Sequence, residues 1–364
     1  MGKRGNGEGT IFKETSGLWV AEISLPGGKR RRKRAKTQAE VKQWLLSQRE
    51  ASRDGLIVED DKVTFGQFFS RYYQDVLTHN VQPKTLESYG SISRTHILPA
   101  LSNYRLTAIT PQMLQSLYSE KLKSGLSPRT VHYIHTLIHK ALKQALRWGL
   151  VTRNVADLVD KPSSPRKTPV VWSVNQVNLF LANIKDHRWY PIYVLAIYCG
   201  LREGEILGLR VEDIDLLRRV LQVRQAVQYL IGKGLTIKEP KSEAGKRSVS
   251  IPGFAVAVLT DYLLSTHKEQ GLIFTTSNNT PISPRNLIRH FKSAIEELGL
   301  PNIRFHDLRH THASLLLIAG VNPKVVQERL GHASVTLTLN TYSHLLPGIQ
   351  EAAAEKFDEL MNNV

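Results

Sequence analysis

The sequence predicts a multidomain α+β protein: a small three-stranded sheet with one helix, a four-helix domain, and a mainly helical domain holding a small antiparallel sheet. Three observations carry this. Strand-like runs crowd the first forty residues, capped helical segments fill the next hundred, and beyond a proline-rich stretch helices alternate with short β-branched runs. At 364 residues the chain has room for two or three domains and a sizeable core.

Taken in order, Gly9 to Glu14 and Leu18 to Leu25 read as strands, Pro26-Gly27-Gly28 as a turn, and Lys29 to Lys36 as a third strand made largely of cations. Thr37 with Glu40 forms a capping box that opens a helix to about Arg53. Gly55 to Lys62 is a polar, acidic linker. Thr64 with Gln67 then caps a helix to about Leu77, and Gln82 to Ile97, with Pro83 near its start, gives a second. Thr110-Pro111 opens a third, ended by Gly125, and Ser127-Pro128 opens a fourth, ended by Gly149. Phe65, Phe68, Phe69, Tyr72, Tyr73 and Tyr89 recur at helical spacing, which assigns most of them to the bundle core. Lys161 to Pro169 carries three prolines, two serines and three cations, the composition of an extended linker.

Beyond it, Ser173 with Gln176 caps a helix, and Arg188 to Cys199 forms an apolar helix stopped by Gly200. Val220 to Tyr229, Leu235 to Glu239 and Arg247 to Ile251 have strand composition. Helices resume at Phe254 to Ser265 and Pro284 to Leu298. Gly348 to Asn363 can form an amphipathic helix with Ile349, Ala352, Ala353, Phe357 and Leu360 as its stripe, packed either on its own domain or on a neighbouring protomer. The expected boundaries are therefore 1–58, 59–160, a linker at 161–169, 170–346, and a tail helix at 347–364.

Lys and Arg number 49 against 32 acids, a formal charge of +17. The excess is spread through the chain: 13 basic and 6 acidic residues to Val58, 13 and 8 to Pro165, then 23 and 18. Such a balance points to a polyanionic partner, although charge also serves solubility. The run Lys29, Arg30, Arg31, Arg32, Lys33, Arg34 is either a charged, aggregation-proof edge strand or a DNA contact, and six consecutive cations favour DNA because each releases counterions on meeting phosphate. Alternation puts Arg30, Arg32 and Arg34 on one face and Lys29, Arg31 and Lys33 on the other. Cys199 is the only cysteine, which excludes an intrachain disulfide and a cysteine-based metal cage. No apolar run reaches a membrane span and the first ten residues lack a signal-peptide core, so a cytoplasmic protein working on the nucleoid is expected.

The chemistry gathers between His306 and Tyr342. His306-Asp307-Leu308-Arg309-His310 places His306 and Arg309 three apart on one helical face. Leu330-Gly331-His332 and Thr341-Tyr342 join them only through folding. A guanidinium fork fits two phosphate oxygens, an imidazole holds or passes a proton near neutral pH, and a phenol can attack once its proton is taken. The set suits phosphoryl transfer to tyrosine.

His306-Asp307-Leu308-Arg309-His310-Thr311-His312, Leu330-Gly331-His332 and Tyr342, preceded by Gly200-Leu201-Arg202-Glu203-Gly204-Glu205, resemble the signature boxes of the tyrosine recombinases, specifically the phage lambda-type integrases. The resemblance spans roughly Val170 to Leu346, and more weakly the segments before it. It implies an arm-type DNA-binding domain at 1–58, whose sheet enters a major groove, a helical core-binding domain at 59–160, and a catalytic domain. Arg202 and Arg309 would hold the scissile phosphate, with Glu205 orienting Arg202. Lys241 would protonate the leaving 5′ oxygen, with Lys238 and Lys246 as rivals. His306 would handle the proton of Tyr342, and His332 would donate to a phosphate oxygen. Tyr342 would attack phosphorus, leaving a 3′-phosphotyrosine and a free 5′ hydroxyl. Because the phosphodiester is exchanged, neither ATP, cofactor nor metal is expected. The implied partners are core and arm DNA sites, three further copies in a homotetramer, a directionality factor and a host DNA-bending protein. The one departure from the relatives' pattern is Cys199, where threonine is frequent.

Residue by residue, blander readings stay open. Either arginine could be structural, pairing with Glu203, Glu205 or Asp307. His332 could merely cap a helix after Gly331. His306 and His310 lie four apart as in zinc helices, but the H-E-x-x-H glutamate and a third ligand are missing. At the level of function, a noncatalytic DNA-binding regulator would not need Tyr342, and a type IB topoisomerase would not need the basic amino-terminal domain.

Overall fold

The computed structural model describes residues 8–24, 30–53, 62–163, 168–240, 245–342 and 349–362. The expected turn at residues 26–28, the cation Lys29, most of the first linker, the middle of the second and Lys241 lie outside them. Two compact units divide the chain, Met1–Pro165 and Arg166–Val364.

In the first unit, β1 (Thr10–Lys13), β2 (Trp19–Ser24) and β3 (Arg30–Ala35) form an antiparallel sheet in that order, and α1 (Gln38–Arg53) covers one face. Ala21 and Ile23 meet Val41 and Leu45 of the helix, with Ile11, Trp19 and Ala35 packed around them. The register pairs Ala21 with Lys33 and Ile23 with Arg31, so those two cations lie on the helix side, where Arg31 donates to Gln48 of α1 at 3.1 Å. Arg30, Arg32 and Arg34 are left on the open face. There they are not bare: Arg30 and Arg32 both donate to Glu22, at 3.1 and 2.7 Å, and Arg34 forks onto Glu14. These contacts hold the carboxyls of Glu22 and Glu14 below the ordinary range.

A second core in this unit is helical. Thr64 and Gln67 exchange capping hydrogen bonds at the start of α2 (Phe65–Arg71), which continues through a π turn, Tyr72–Leu77, into α3 (Thr78–Asn80). Likewise α4 (Pro83–Ile92) widens into a π turn at Ser93–Ile97 before α5 (Leu98–Leu101). Thr110 and Ser127 cap α6 (Pro111–Lys123) and α7 (Pro128–Arg147). Phe65, Phe68, Phe69 and Tyr72 are buried against Ile134, Leu137 and Ile138 of α7, and each such side chain stabilises the bundle by roughly 1.5–3 kcal/mol.

In the second unit the order is α8 (Val174–Asn183), α9 (Tyr190–Tyr198), α10 (Glu203–Leu207), β4 (Ile214–Asp215), β5 (Val220–Val223), β6 (Ala226–Leu230), β7 (Gly234–Lys238), β8 (Arg247–Ser250), α11 (Gly253–Thr266), α12 (Pro284–Glu297), α13 (Phe305–Ile318), α14 (Pro323–Leu330), α15 (Val335–Tyr342) and α16 (Ile349–Asn362). The single strand expected at Val220 to Tyr229 is two. β5 joins a sheet in the order β4-β5-β8, whereas β6 pairs with β7 in a separate hairpin. The break has a packing cause. β6 lies on α10 so closely that a Cβ on Gly204 would sit 2.5 Å from the Val227 carbonyl, and Gln225 turns to donate to the Gly208 carbonyl. The core packs Trp172, Phe180, Tyr193, Phe291 and Phe305 around α9, and a smaller cluster packs Ala313, Leu317, Val326 and Leu330 around Tyr342. Among the described residues, no helix is long and apolar enough to cross a membrane.

Candidate active site

The site begins where α9 ends. Its nine residues are almost wholly buried, and the chain leaves them through Gly200 at a positive φ of 64°. A side chain there would be both strained and obstructed, because a Cβ would stand 2.5 Å from Cδ2 of His312 and 3.0 Å from Leu330. The turn delivers Arg202 as the N-cap of α10. Its backbone N–H donates to Glu205 Oε2 at 2.9 Å and its Nη1 to Oε1 at 2.5 Å. The same carboxylate receives Nη1 and Nη2 of Arg247, at 3.0 and 2.9 Å, and Arg247 Nε donates to the Arg329 carbonyl. Burial pushes the Glu205 carboxyl up, but the Arg247 fork and the charges of Arg247 and Arg202 outweigh it and hold the group at about 2. One buried carboxylate thus aims two guanidiniums.

Helix α13 supplies the next group. Arg304 closes its N-terminus, with Nε and Nη2 on Asp307 at 3.0 and 2.7 Å and its backbone N–H on the same carboxylate. Asp307 is therefore a cap and not a partner for Arg309. Arg309 is 2% exposed and donates through Nη1 to the Gly200 carbonyl at 2.7 Å and through Nη2 to the Leu330 carbonyl. Burial, then the neighbouring charge of Arg202, brings its guanidinium down to about 9, which leaves it cationic at neutral pH.

Tyr342, at the end of α15, is 1% exposed, and its hydroxyl lies 2.5 Å from Nδ1 of His310. Burial raises the phenol's pKa, opposed by Arg309, and burial lowers that of His310. A neutral imidazole accepting a hydrogen bond from the protonated phenol fits both directions. His306, which the sequence reading gave that task, stands instead at the exposed rim one helical turn away, edge-to-face with His310 at 5.1 Å. Burial of its inner side, and then the charges of His310, Arg309 and Arg202, lower its pKa. The backbone N–H of His332 does close α14, donating to Gln327 past Gly331 at φ 63°. Its half-buried imidazole lies in the field of Arg309 and Arg202, and burial with those charges pushes it down to about 3.

Arg202, Glu205, Arg309, His310, His332 and Tyr342 therefore gather in one cluster. Lys241 falls outside the described residues, while Lys238 ends β7 and Lys246 immediately precedes β8. Three residues were missed by sequence reasoning. Arg247 was signalled by strand alternation, which puts it on the inner face of β8 with Val249, where a cation needs a buried counterion. His310 shares a helical face with His306. His312 donates through Nδ1 to the Ile197 carbonyl at 2.8 Å and accepts Arg329 Nε at 3.0 Å, two contacts that fix a neutral tautomer and tie α13 to α9 and α14. Three guanidiniums against one carboxylate, beside neutral imidazoles, make a cationic hole next to a buried phenol. Such a hole stabilises the charge that builds on a phosphoryl group under attack.

A cationic hole beside a tyrosine, on this succession of helices and small sheets, is the arrangement expected of a DNA strand transferase, and the family comparison gives that class. Residues 172–348 match the Phage integrase family, and residues 64–131 match the Phage integrase, N-terminal SAM-like domain. The chain belongs to the phage integrase family of tyrosine recombinases. It is 26% identical over 336 residues to a tyrosine recombinase XerC-like protein of Caldanaerobacter subterraneus subsp. tengcongensis, covering 85% of this chain and 86% of the relative. The Tn1549 transposon integrase, solved with a circular intermediate DNA, superposes with a TM-score of 0.71 at 22% identity over 81% of this chain and 100% of that one. A lambda integrase, solved as a tetramer bound to a Holliday junction, gives 0.60 at 18% identity over 90% and 96%.

Proposed function

We propose that the chain is the site-specific integrase of a phage or mobile element, with Tyr342 as the nucleophile that cuts and rejoins DNA. The carrying observation is the convergence of Arg202, steered by Glu205, and Arg309, held by the Gly200 and Leu330 carbonyls, on the side of the cluster that holds Tyr342. The Tyr342 oxygen attacks phosphorus, the bond from phosphorus to the 5′ oxygen breaks, and that oxygen takes a proton, a task suited to Lys241. His310 is placed to receive the phenolic proton, and His306 and His332 lie where they can contact phosphate oxygens. A 5′ hydroxyl from a second strand then attacks the 3′-phosphotyrosine and restores both diester and phenol, so no energy source is spent. Loss of one of the two phosphate-binding arginines should cost on the order of 10²-fold in rate or more. In the state described here the phenol is walled by Leu317, Val326 and Leu330, so α15 must shift for the attack to occur.

The reading extends to architecture and partners. Residues 1–58 engage arm-type DNA through Arg30 to Arg34 and Lys29, 59–160 and 170–346 bind the core site across the 161–169 linker, 347–364 packs on its own domain or on a neighbouring protomer, and the chain works as a homotetramer on DNA in the cytoplasm, at the nucleoid. A directionality factor and a host DNA-bending protein complete the set. The relatives solved with DNA, one of them as a tetramer, support the DNA and tetramer parts of this reading alone.

A nicked suicide duplex tests the chemistry. Wild type should form an adduct that survives denaturant, and Tyr342→Phe should form none. Adduct from the variant would show that another nucleophile operates. A wild type that binds its core site without forming adduct would point to the regulator.

A further inference from the structure

Beside the catalytic cluster, between the β5–β8 edge and the β6–β7 hairpin, lies an open cleft of about 680 Å³ whose walls carry Arg210, Arg224, Lys238, Lys246 and Arg247 against Glu239. Beneath it, Asp213 is 2% exposed. Arg210 uses both of its oxygens, Nε on Oδ2 and Nη2 on Oδ1, each at 3.0 Å. Arg224, with 59% of its side chain exposed, stands 3.7 Å from Oδ1, held by charge but beyond hydrogen-bond reach. One carboxylate cannot neutralise two guanidiniums, so the pair keeps a net positive charge and Arg224 keeps donors turned to the cleft. The layout repeats that of Glu205 between Arg202 and Arg247. The two clusters abut, because Arg247 forks onto Glu205 while also lining the cleft.

We propose that this cleft is a second phosphate site, in which Arg224, positioned with Arg210 by Asp213, grips a backbone phosphate of the DNA strand next to the scissile one. The proposal rests on the integrase reading. Each strand of a duplex presents a charge about every 3.4 Å along the axis. A strand engaged at Arg202 and Arg309 therefore carries further phosphates past Arg247 and into the cleft. A guanidinium fork is the donor best matched to two oxygens of such a group. The function of the site is register: two arginine pairs on successive parts of one backbone fix which phosphate meets Tyr342.

The test is a double-mutant cycle between the protein and the DNA. A core half-site is first recovered from a randomised duplex pool by adduct capture with the wild-type chain. Methylphosphonates then neutralise, one at a time, the phosphates flanking the scissile position, and affinity is measured for wild type, Arg224→Gln and Arg224→Lys. One substituted phosphate should weaken wild type by about tenfold or more and leave Arg224→Gln unaffected. Arg224→Lys, which keeps the charge without the fork, should fall between. If Arg224→Gln suffers the wild-type loss at every phosphate, or if wild type is indifferent to all of them, the second site does not exist. Failure of the pool to yield any adduct or bound duplex would instead sink the integrase reading beneath it.

Discussion

Glu205→Gln removes one charge at nearly constant volume, and its cost follows from the geometry. The ordinary pKa of 4.5 falls to about 2 in the folded protein. At about 1.4 kcal/mol for each tenfold in proton affinity, that gap is worth about 3 kcal/mol. Breaking a buried ion pair by removing one partner is expected to cost a similar roughly 3–5 kcal/mol. Most of it should arise at Arg247, whose side chain is 6% exposed, and less at Arg202, which at 38% is screened by solvent. Because the folded pKa lies below the unfolded one, the stabilisation is complete above about pH 5 and drains away as pH falls toward 2. Urea unfolding followed by the fluorescence of Trp172 and Trp189 should therefore show the variant about 3 kcal/mol weaker at pH 7, with a flatter profile between pH 5 and 2. Adduct formation should fall along with it, since Arg202 loses its steering partner. A loss below about 1 kcal/mol at pH 7, or an acid profile like that of wild type, would refute the claim that this carboxylate anchors both guanidiniums.

Two further outcomes are expected. His310→Leu should destabilise the second unit by about 1–3 kcal/mol, because it strands a buried phenol without a partner, whereas the exposed His306→Leu should stay within about 0.5 kcal/mol. The contribution of His310 belongs to its neutral form, whose folded pKa is lowered, so it should be present above pH 6.5 and fade as pH falls below, and equal urea midpoints for the two variants would refute the pairing. Glu22→Gln should leave the open face of the amino-terminal sheet one charge more positive. The slope of log affinity against log salt on duplex DNA should then steepen by up to about 0.9, and an unchanged slope would mean that this face does not meet phosphate.

Local chemistry was the most legible part of the sequence. The caps at Thr64, Thr110, Ser127 and Ser173 were read correctly because the hydrogen bonds that start a helix lie within three residues of chain. The π turns at Tyr72–Leu77 and Ser93–Ile97 were not, since a single widened turn is too short to stand out in the spacing of apolar residues. Val220 to Tyr229 reads as one strand by composition, and only the close approach of β6 to α10, made by distant residues, breaks it at Arg224 and Gln225. At the candidate site, motif spacing singled out Arg202, Arg309, His332 and Tyr342, which the fold brings into one cluster. Which of two histidines on one helical face touches the phenol depends on how α15 returns, and a spacing of four cannot say. Arg247 escaped because it was read as the start of a strand, although the inward half of that strand's alternation marked it.

The apolar packing around the Tyr342 ring has a consequence under the integrase reading. With Tyr342 as the proposed nucleophile, a chain in this state would hold DNA without cutting it, and trimming Leu317, Val326 or Leu330 should raise unwanted nicking more than it changes how tightly the protein holds DNA.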